Sequence, residues 1–433
     1  MKRSDLPSYM LDLLSKPVAV FGYGVSGQAV ISLLERLECQ WVCYDEREGE
    51  QSTRSFPEVD AAKHNLVIYS PGFDPRHRWF DVARGNGCTV MAEMEFSARL
   101  WQGPVIAITG TNGKTTICDF LAYALKRSGR NTIAVGNIGY PLSKAVGLPE
   151  YDSVTAVAEV SSFQAEGLDH FRADALIWSN FSEDHLDRYK SMEEYFAAKW
   201  RLVERLRKPN LVVGESVALW AETFGYKLPE FAQVISPDSF NQWAMPHESA
   251  FQAKRQAYNL LLIRRFWEQE SLPQTLLQSA AESFSPREHR LRLISRVSDI
   301  AFWNDSKATN FDSTIGALEN FDAQVLWIGG GKDRGGDIGV FAEQIAPKIR
   351  YAFLIGETAP KMVEFLETFN VPCFCCVSLA EAVEMALQKA LPGENVLFSP
   401  GFSSQDSFLS YVERGTVFEN AVNSLKISYS KNL

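Results

Sequence analysis

At 433 residues the chain is long enough for about two to four domains of roughly 100–200 residues each. It is 46% hydrophobic and 22% charged, the balance of an ordinary globular protein, and its net charge of −10 argues against a non-specific nucleic-acid binder while leaving local positive features free to take anions. The seven cysteines form no zinc-spaced CxxC pair, and no apolar run approaches the ~18 residues of a membrane span. The opening MKRSDLPSYMLDLLSKP is broken by Asp, Lys and Pro, so the expectation is a cytoplasmic protein with buried, reduced thiols, no signal peptide and no membrane insertion.

Short apolar strands that end in Gly, Ser or Asn and run into helical stretches predict an α/β protein with parallel sheets, in three groups. The first group, residues 1–98, holds PVAVFGYG, WVCYDE and LVIYSPG. Gly22, Gly24 and Gly27 form GxGxxG between a strand and the helical run AVISLLERL, and Asp45 ends the next strand 18 residues after Gly27. That spacing is close to the ~20 of a dinucleotide fold, in which glycines let a diphosphate reach the amides of a helix N-terminus. The pattern does not separate NAD from other nucleotide diphosphates, and a ligand-free Rossmann-like turn is the bland alternative.

The second group, residues 99–286, opens on VIAITGTNGKTT. Gly110, Thr111, Asn112, Gly113, Lys114, Thr115 and Thr116 form a phosphate loop two residues shorter than GxxxxGK[ST], between a strand and the helical run ICDFLAYALKRS. Amides around Gly113 can cradle phosphate, Lys114 can reach the β and γ phosphates of ATP, and Thr115 can ligate Mg²⁺. NTIAVGNIG, SVTAVAEVSS and ALIWSNFSEDH follow. Glu159 ends a strand where a carboxylate would face a ligand, or it serves as a cap or hydrogen-bond acceptor. His185 in the polar EDHLD run could equally cap a helix, and Asn137 between glycines is also an ordinary turn signal.

Residues 192–206, MEEYFAAKWRLVERL, read as one amphipathic helix, since Met192, Tyr195, Phe196, Leu202, Val203 and Leu206 recur at steps of three and four. Lys199 falls inside that apolar stripe, and none of its helical neighbours can pair with a charge. It must snorkel outward, find a partner elsewhere in the fold, or be chemically altered. The third group, residues 287–433, contains IAFWNDSKATN, QVLWIGGGKDRGG, YAFLIGE and VLFSPGFSS.

GTNGKTT, GNIG, EVSSFQ, NFSEDHLDRY, YFAAKW, HR at 289–290, NDSKATN and SPGFSSQDSF occur in the order found in the Mur ligases of bacterial cell-wall synthesis, which the chain resembles over nearly its whole length. The resemblance implies three domains: a Rossmann-like N-terminal domain for the UDP substrate (1–98), a central P-loop ATPase domain with a mostly parallel sheet (99–286), and a Rossmann-like C-terminal amino-acid domain (287–433). SEDHLDRY, SKATN and the GxGxxG start point to the branch that joins D-glutamate to UDP-N-acetylmuramoyl-L-alanine, through an acyl phosphate made with ATP. A second reading is a ligase of the same superfamily with another amino acid. A third, of a different class, is an NAD-dependent oxidoreductase, which would leave GTNGKTT unused.

Carried over by motif, the resemblance puts Lys114 on the phosphates and Thr115 with Glu159 on one Mg²⁺. His185 and Lys199, the latter carbamylated by CO₂, would serve a second Mg²⁺. Burial lowers a lysine pKa, and a neutral amine can attack CO₂. ATP would also meet Asn259, Arg290 and Asp305. The uridine substrate would meet Gly22, Gly24, Gly27, Asp45, Ser70, Pro71, Gly72 and Asn137. D-glutamate would meet Lys307, Thr309, Arg334, Ser404 and Tyr411, cationic and hydroxyl donors suited to a dicarboxylate. Lys307 has a plainer reading as a scaffold partner of Asp305. The chain departs from the family at AKRQAYN, where Arg255 and Gln256 replace the His and Asn of GxHNxxN. It departs again at Tyr411, where Phe is common, and at Arg334, where some relatives carry Lys. No nucleic acid and no second chain is expected, and sites spread over three domains imply domain closure.

Overall fold

The computed structural model describes residues 2–46, 52–74, 76–137, 139–148, 151–242 and 249–430. Its contacts divide the chain into two compact units. One contains residues 1–180, 195–246 and 259–284; the other contains 181–194, 247–258 and 285–433.

The first unit carries two parallel sheets. In one, β1 (Val18–Phe21), β2 (Trp41–Tyr44), β3 (Leu66–Tyr69) and β4 (Thr89–Ala92) lie in the order β2-β1-β3-β4. Alternate residues of these strands face a cluster that includes Ala19, Phe21, Val67, Trp79 and Phe80. In the other, β5 (Val105–Thr109), β6 (Thr132–Gly136), β7 (Thr155–Glu159), β8 (Ala175–Trp178), β9 (Leu211–Gly214) and β10 (Gln233–Ile235) lie in the order β10-β9-β8-β5-β7-β6. Strands β5, β8 and β9 are buried along their whole lengths, as expected of a sheet covered on both faces.

The second unit is built on β11 (Arg292–Val297), β12 (Ile300–Asn304), β13 (Val325–Gly330), β14 (Ile349–Ile355), β15 (Cys373–Cys375) and β16 (Asn395–Phe398), in the order β11-β12-β16-β13-β14-β15. Only the β11–β12 edge pair is antiparallel among the described strands. Val325 and Trp327 feed one core and Leu326 and Ile328 the opposite one, the two-residue period of a sheet buried on both faces.

Two expectations need correction. The 192–206 stretch is not one helix: the α-helix runs Met192–Trp200, and a 3₁₀ turn follows at Val203–Arg205. The chain peels away because Ala173 pairs with it, donating to the Arg205 carbonyl at 3.0 Å and accepting from the Arg207 N–H at 2.8 Å. A β-type contact elsewhere in the fold thus overrides a helical apolar period. All seven cysteines are free thiols, as expected, but they are not all buried: Cys375 is exposed and Cys373 half-buried.

Candidate active site

Ligands of parallel sheets gather at the carboxyl ends of the strands, and the candidate residues of each sheet sit there. In the first sheet Gly22 follows β1 with φ +91°, a backbone conformation that glycine adopts without a Cβ clash. The helix Val25–Arg36 starts immediately after Gly24, and a Cβ on Gly27 would strike the Gly22 carbonyl, so the third glycine allows helix and strand to touch. Asp45, 7% exposed, accepts from the Tyr23 N–H at 2.8 Å and so braces this turn. Ser70 of the Ser70-Pro71-Gly72 turn donates from Oγ to the Gly22 carbonyl at 3.4 Å. The structure therefore brings the N-terminal candidates together around one turn.

At the second sheet β5 runs into Gly110–Gly113, and the helix Lys114–Arg127 begins from Gly113 in a left-handed conformation, φ +83°. The loop is shaped from outside by residues the sequence reading did not single out. Ser179 Oγ donates to the Asn112 carbonyl at 2.6 Å, and the Asn180 side chain both accepts from the Asn112 N–H at 2.9 Å and donates to its carbonyl at 3.1 Å. Lys114 folds back, its ammonium donating to the carbonyls of Gly110 at 2.8 Å and Thr111 at 2.7 Å. Asn259 packs against the loop: a Cβ on Gly113 would strike its amide oxygen. Thr115 is buried in the first helical turn, and next to it Thr116 Oγ1 is buried without a hydrogen bond. A helix N-terminus with an orphaned hydroxyl and a lysine spread over loop carbonyls is an arrangement that phosphate oxygens and a hard cation can complete.

Lys199 is 1% exposed, so the snorkelling alternative does not hold. Its Nζ donates to the Gly110 carbonyl at 2.9 Å and lies 3.5 Å from Thr109 Oγ1. Tyr195, one turn earlier on the same helix, presents its ring 4.9 Å from the ammonium, so a helical neighbour does stabilise the charge, through cation–π contact. Glu159, 2% exposed at the end of β7, accepts from Asn137 Nδ2 at 3.1 Å and from the Asn137 N–H on its carbonyl at 2.9 Å. These two candidates, assigned to different ligands, are thus hydrogen-bonded to each other. Ile138 between them in GNIG lies outside the described residues.

In the second unit His185 has φ +58°, and its Nε2 lies 3.7 Å from Asp184 Oδ2. Asn310 caps the helix Phe311–Leu318 through Oδ1 and donates from Nδ2 to Asp184 at 3.1 Å. A cleft lined by Glu183, Asp184, Thr309, Asn310, Arg334 and Phe402 brings Thr309 and Arg334 together. Lys307 lies elsewhere on this loop, its ammonium 4.2 Å from the Tyr411 ring centre. Ser404, 4% exposed, follows Ser403, which pairs through its backbone with Lys332 on the segment leading to Arg334.

Asp305 follows β12, where its carboxylate accepts from the Leu291 N–H at 3.0 Å and Ser399 Oγ at 2.8 Å. Burial pushes its pKa up to about 7, against the lowering effect of those two hydrogen bonds and of Arg290 and Arg255. Arg290 Nη2 is buried without a hydrogen bond, a donor left open for an acceptor. Arg255 is held by ion pairs to Asp312 and, at 3.7 Å, Glu319. Among the described residues no three His, Cys, Asp or Glu side chains converge as a metal centre.

Comparison with known proteins agrees with this architecture. Residues 108–263 match the Mur ligase middle domain, and residues 289–402 match the Mur ligase glutamate ligase domain. The chain is 31% identical to a UDP-N-acetylmuramoylalanine–D-glutamate ligase of Caldanaerobacter subterraneus subsp. tengcongensis, over 96% of its own length and 100% of the relative's. It is 32% identical to the like-named ligase of Geobacter sp. strain M21, over 96% and 99%. Among solved structures, the UDP-N-acetylmuramate-alanine ligase MurC of Thermotoga maritima superposes with a TM-score of 0.61 at 15% identity, covering 94% of this chain and 99% of that one. The MurF ligase of Thermotoga maritima, solved with ADP, gives 0.57 at 12% identity, covering 86% and 100%. With the phosphate loop, the three strand-end clusters and both family domains in place, the chain belongs to the Mur ligase family.

Proposed function

We propose that this ATP-dependent ligase of peptidoglycan precursor synthesis adds D-glutamate to UDP-N-acetylmuramoyl-L-alanine. The observation that carries the reading is the meeting of two lysine ammoniums, Lys114 and Lys199, on the single carbonyl of Gly110, at 2.8 and 2.9 Å. Like charges this close in a buried site repel one another. Addition of CO₂ to the neutral Lys199 amine would turn the unfavourable pair into a cation beside an anion. The names of the relatives supply the amino acid and the uridine substrate.

Three domains, 1–98, 99–286 and 287–433, divide the work. The turn at Gly22, Gly24 and Gly27, with Asp45 and Ser70-Pro71-Gly72, receives the uridine diphosphate, and Asn137 its peptide end. Gly110–Thr116 and Asn259 cradle the ATP phosphates; Arg290 and Asp305 hold the rest of the nucleotide. Thr115 and Glu159 would offer oxygen to one Mg²⁺, and the Lys199 carbamate oxygen with the His185 imidazole nitrogen would serve a second. When bound, these ions neutralise charge on the transferring phosphoryl group. Lys114 holds the γ-phosphoryl group while the substrate carboxylate takes it to give an acyl phosphate. Lys307, Thr309, Arg334, Ser404 and Tyr411 present the amine of D-glutamate to that carbon, and phosphate leaves. The protein acts as a cytoplasmic monomer. Among the described residues, no helix is long and apolar enough to cross a membrane.

The direct test is ATP-dependent phosphate release with UDP-N-acetylmuramoyl-L-alanine and D-glutamate, L-glutamate, L-lysine or no amino acid. Release only with D-glutamate is expected. Release with another amino acid keeps the ligase chemistry but overturns the assignment of Arg334, Ser404 and Tyr411.

A further inference from the structure

Arg414 is 1% exposed, among the largest fully buried side chains of the described residues, and makes no ion pair among them. Its guanidinium is spent on main chain and one hydroxyl. Nη2 donates to the Ser306 carbonyl at 2.9 Å, Nη1 to the Phe402 carbonyl at 3.1 Å, and Nε to Ser306 Oγ at 3.2 Å. Ser306 Oγ in turn donates to the Tyr411 carbonyl at 2.8 Å. The fork therefore joins three segments distant in sequence. Ser306 precedes Lys307, Phe402 lies two residues before Ser404, and Arg414 itself sits in the first turn of the helix that begins at Tyr411.

Burial works against the guanidinium charge, while Asp406 and Asp305 favour it and Arg334 opposes it. Burying a cation without a paired carboxylate is costly. The three acceptors explain the choice of side chain. Only a planar guanidinium offers several donors at fixed angles to separate carbonyls; an ammonium on a flexible stem does not.

We propose that Arg414 is a positioning residue for the amino-acid substrate, holding the Lys307, Ser404 and Tyr411 segments in the register that a dicarboxylate amino acid requires. This deepens, and rests on, the reading of D-glutamate as that substrate. Arg414 touches no substrate; it acts through the loops it ties together. Its geometry matters more than its charge.

The test uses the full chain as wild type, R414K, R414M and S306A, varying D-glutamate and ATP separately and following thermal unfolding. R414K and R414M are expected to raise KM for D-glutamate by about tenfold or more, with KM for ATP within about twofold, as loss of charge-assisted hydrogen bonds implies. S306A keeps the charge and loses one junction, so about threefold is expected. If R414M does not fold, R414K and S306A decide the matter. R414K with a wild-type KM, or both KM values rising together with loss of folded protein, would overturn the proposal. If the wild type uses a different amino acid, the proposed function falls and the same split is read on that amino acid. Hydrogen–deuterium exchange needs no substrate: R414K should speed exchange selectively at 306–309, 402–408 and 411–414, and unchanged exchange there sinks the idea even in an enzyme silent with every amino acid.

Discussion

Lys199 in one unit and Arg414 in the other are both 1% exposed, and both donate to main-chain carbonyls. They differ in what they touch and in what they can become. Lys199 shares its carbonyl with the ammonium of Lys114 and has the ring of a helical neighbour, Tyr195, 4.9 Å from its ammonium. Arg414 is spread over three acceptors in two other loops. A lysine amine can shed its proton and react, whereas a guanidinium stays charged at any working pH. A buried lysine crowded by another cation therefore points to chemistry. A buried arginine fanned across carbonyls points to architecture.

The sharpest way to break this contrast is K199R, which keeps a cation and removes the reactive amine. We expect kcat to fall by at least about a hundredfold, the scale of losing a positioned charge at a phosphoryl-transfer site, with the fold retained. Intact-mass spectrometry in bicarbonate should show one added CO₂ on the wild type and none on K199R. A K199R enzyme turning over normally would make Lys199 structural, like Arg414. Next comes R414K, with its rise of about tenfold confined to KM for the amino acid.

Asp305 adds the opposite charge to the comparison. Its pKa stands above its ordinary 3.8, at about 7, so its contribution to stability is complete below pH 3.8 and is lost as pH rises through about 7. D305N cannot ionise, and its unfolding temperature should vary less with pH across that window than the wild type's. Parallel curves would mean that Asp305 is not the group responsible. The smallest effect is expected at the Tyr411 ring under Lys307: Y411F should leave KM for the amino acid within about twofold, and Y411L should raise it about threefold, the worth of a partly exposed cation–π contact. An equal rise in Y411F and Y411L, which both lack the hydroxyl, would put the hydroxyl, not the ring, in contact.

Much of the layout is legible in the sequence. The strands PVAVF, VIAIT and VLF, the two glycine loops and the helices after them are local matters of apolar run, glycine and helix start, and they stand where the residues said. The 192–206 stretch reads as one helix because its apolar period continues past Trp200, but Ala173 captures the backbone at Arg205 and Arg207. Ser179 and Asn180 were passed over as shapers of the phosphate loop, since only the side-by-side placement of β5 and β8 brings them to Asn112. Nothing in the spacing marks Arg414, one of four charged residues in the helix Tyr411–Ser430.

By itself the sequence determined the α/β class, the phosphate loop and the odd position of Lys199, because these depend on residues within a few turns of one another. The tertiary structure alone decided that Lys199 is buried against Gly110 rather than snorkelling, that Asn137 bonds to Glu159, and that Arg414 gathers three loops. Each depends on a hydrogen bond between residues tens to more than a hundred positions apart. Which acceptor a buried donor finds is set by how strands stack into sheets, and no local pattern records that choice.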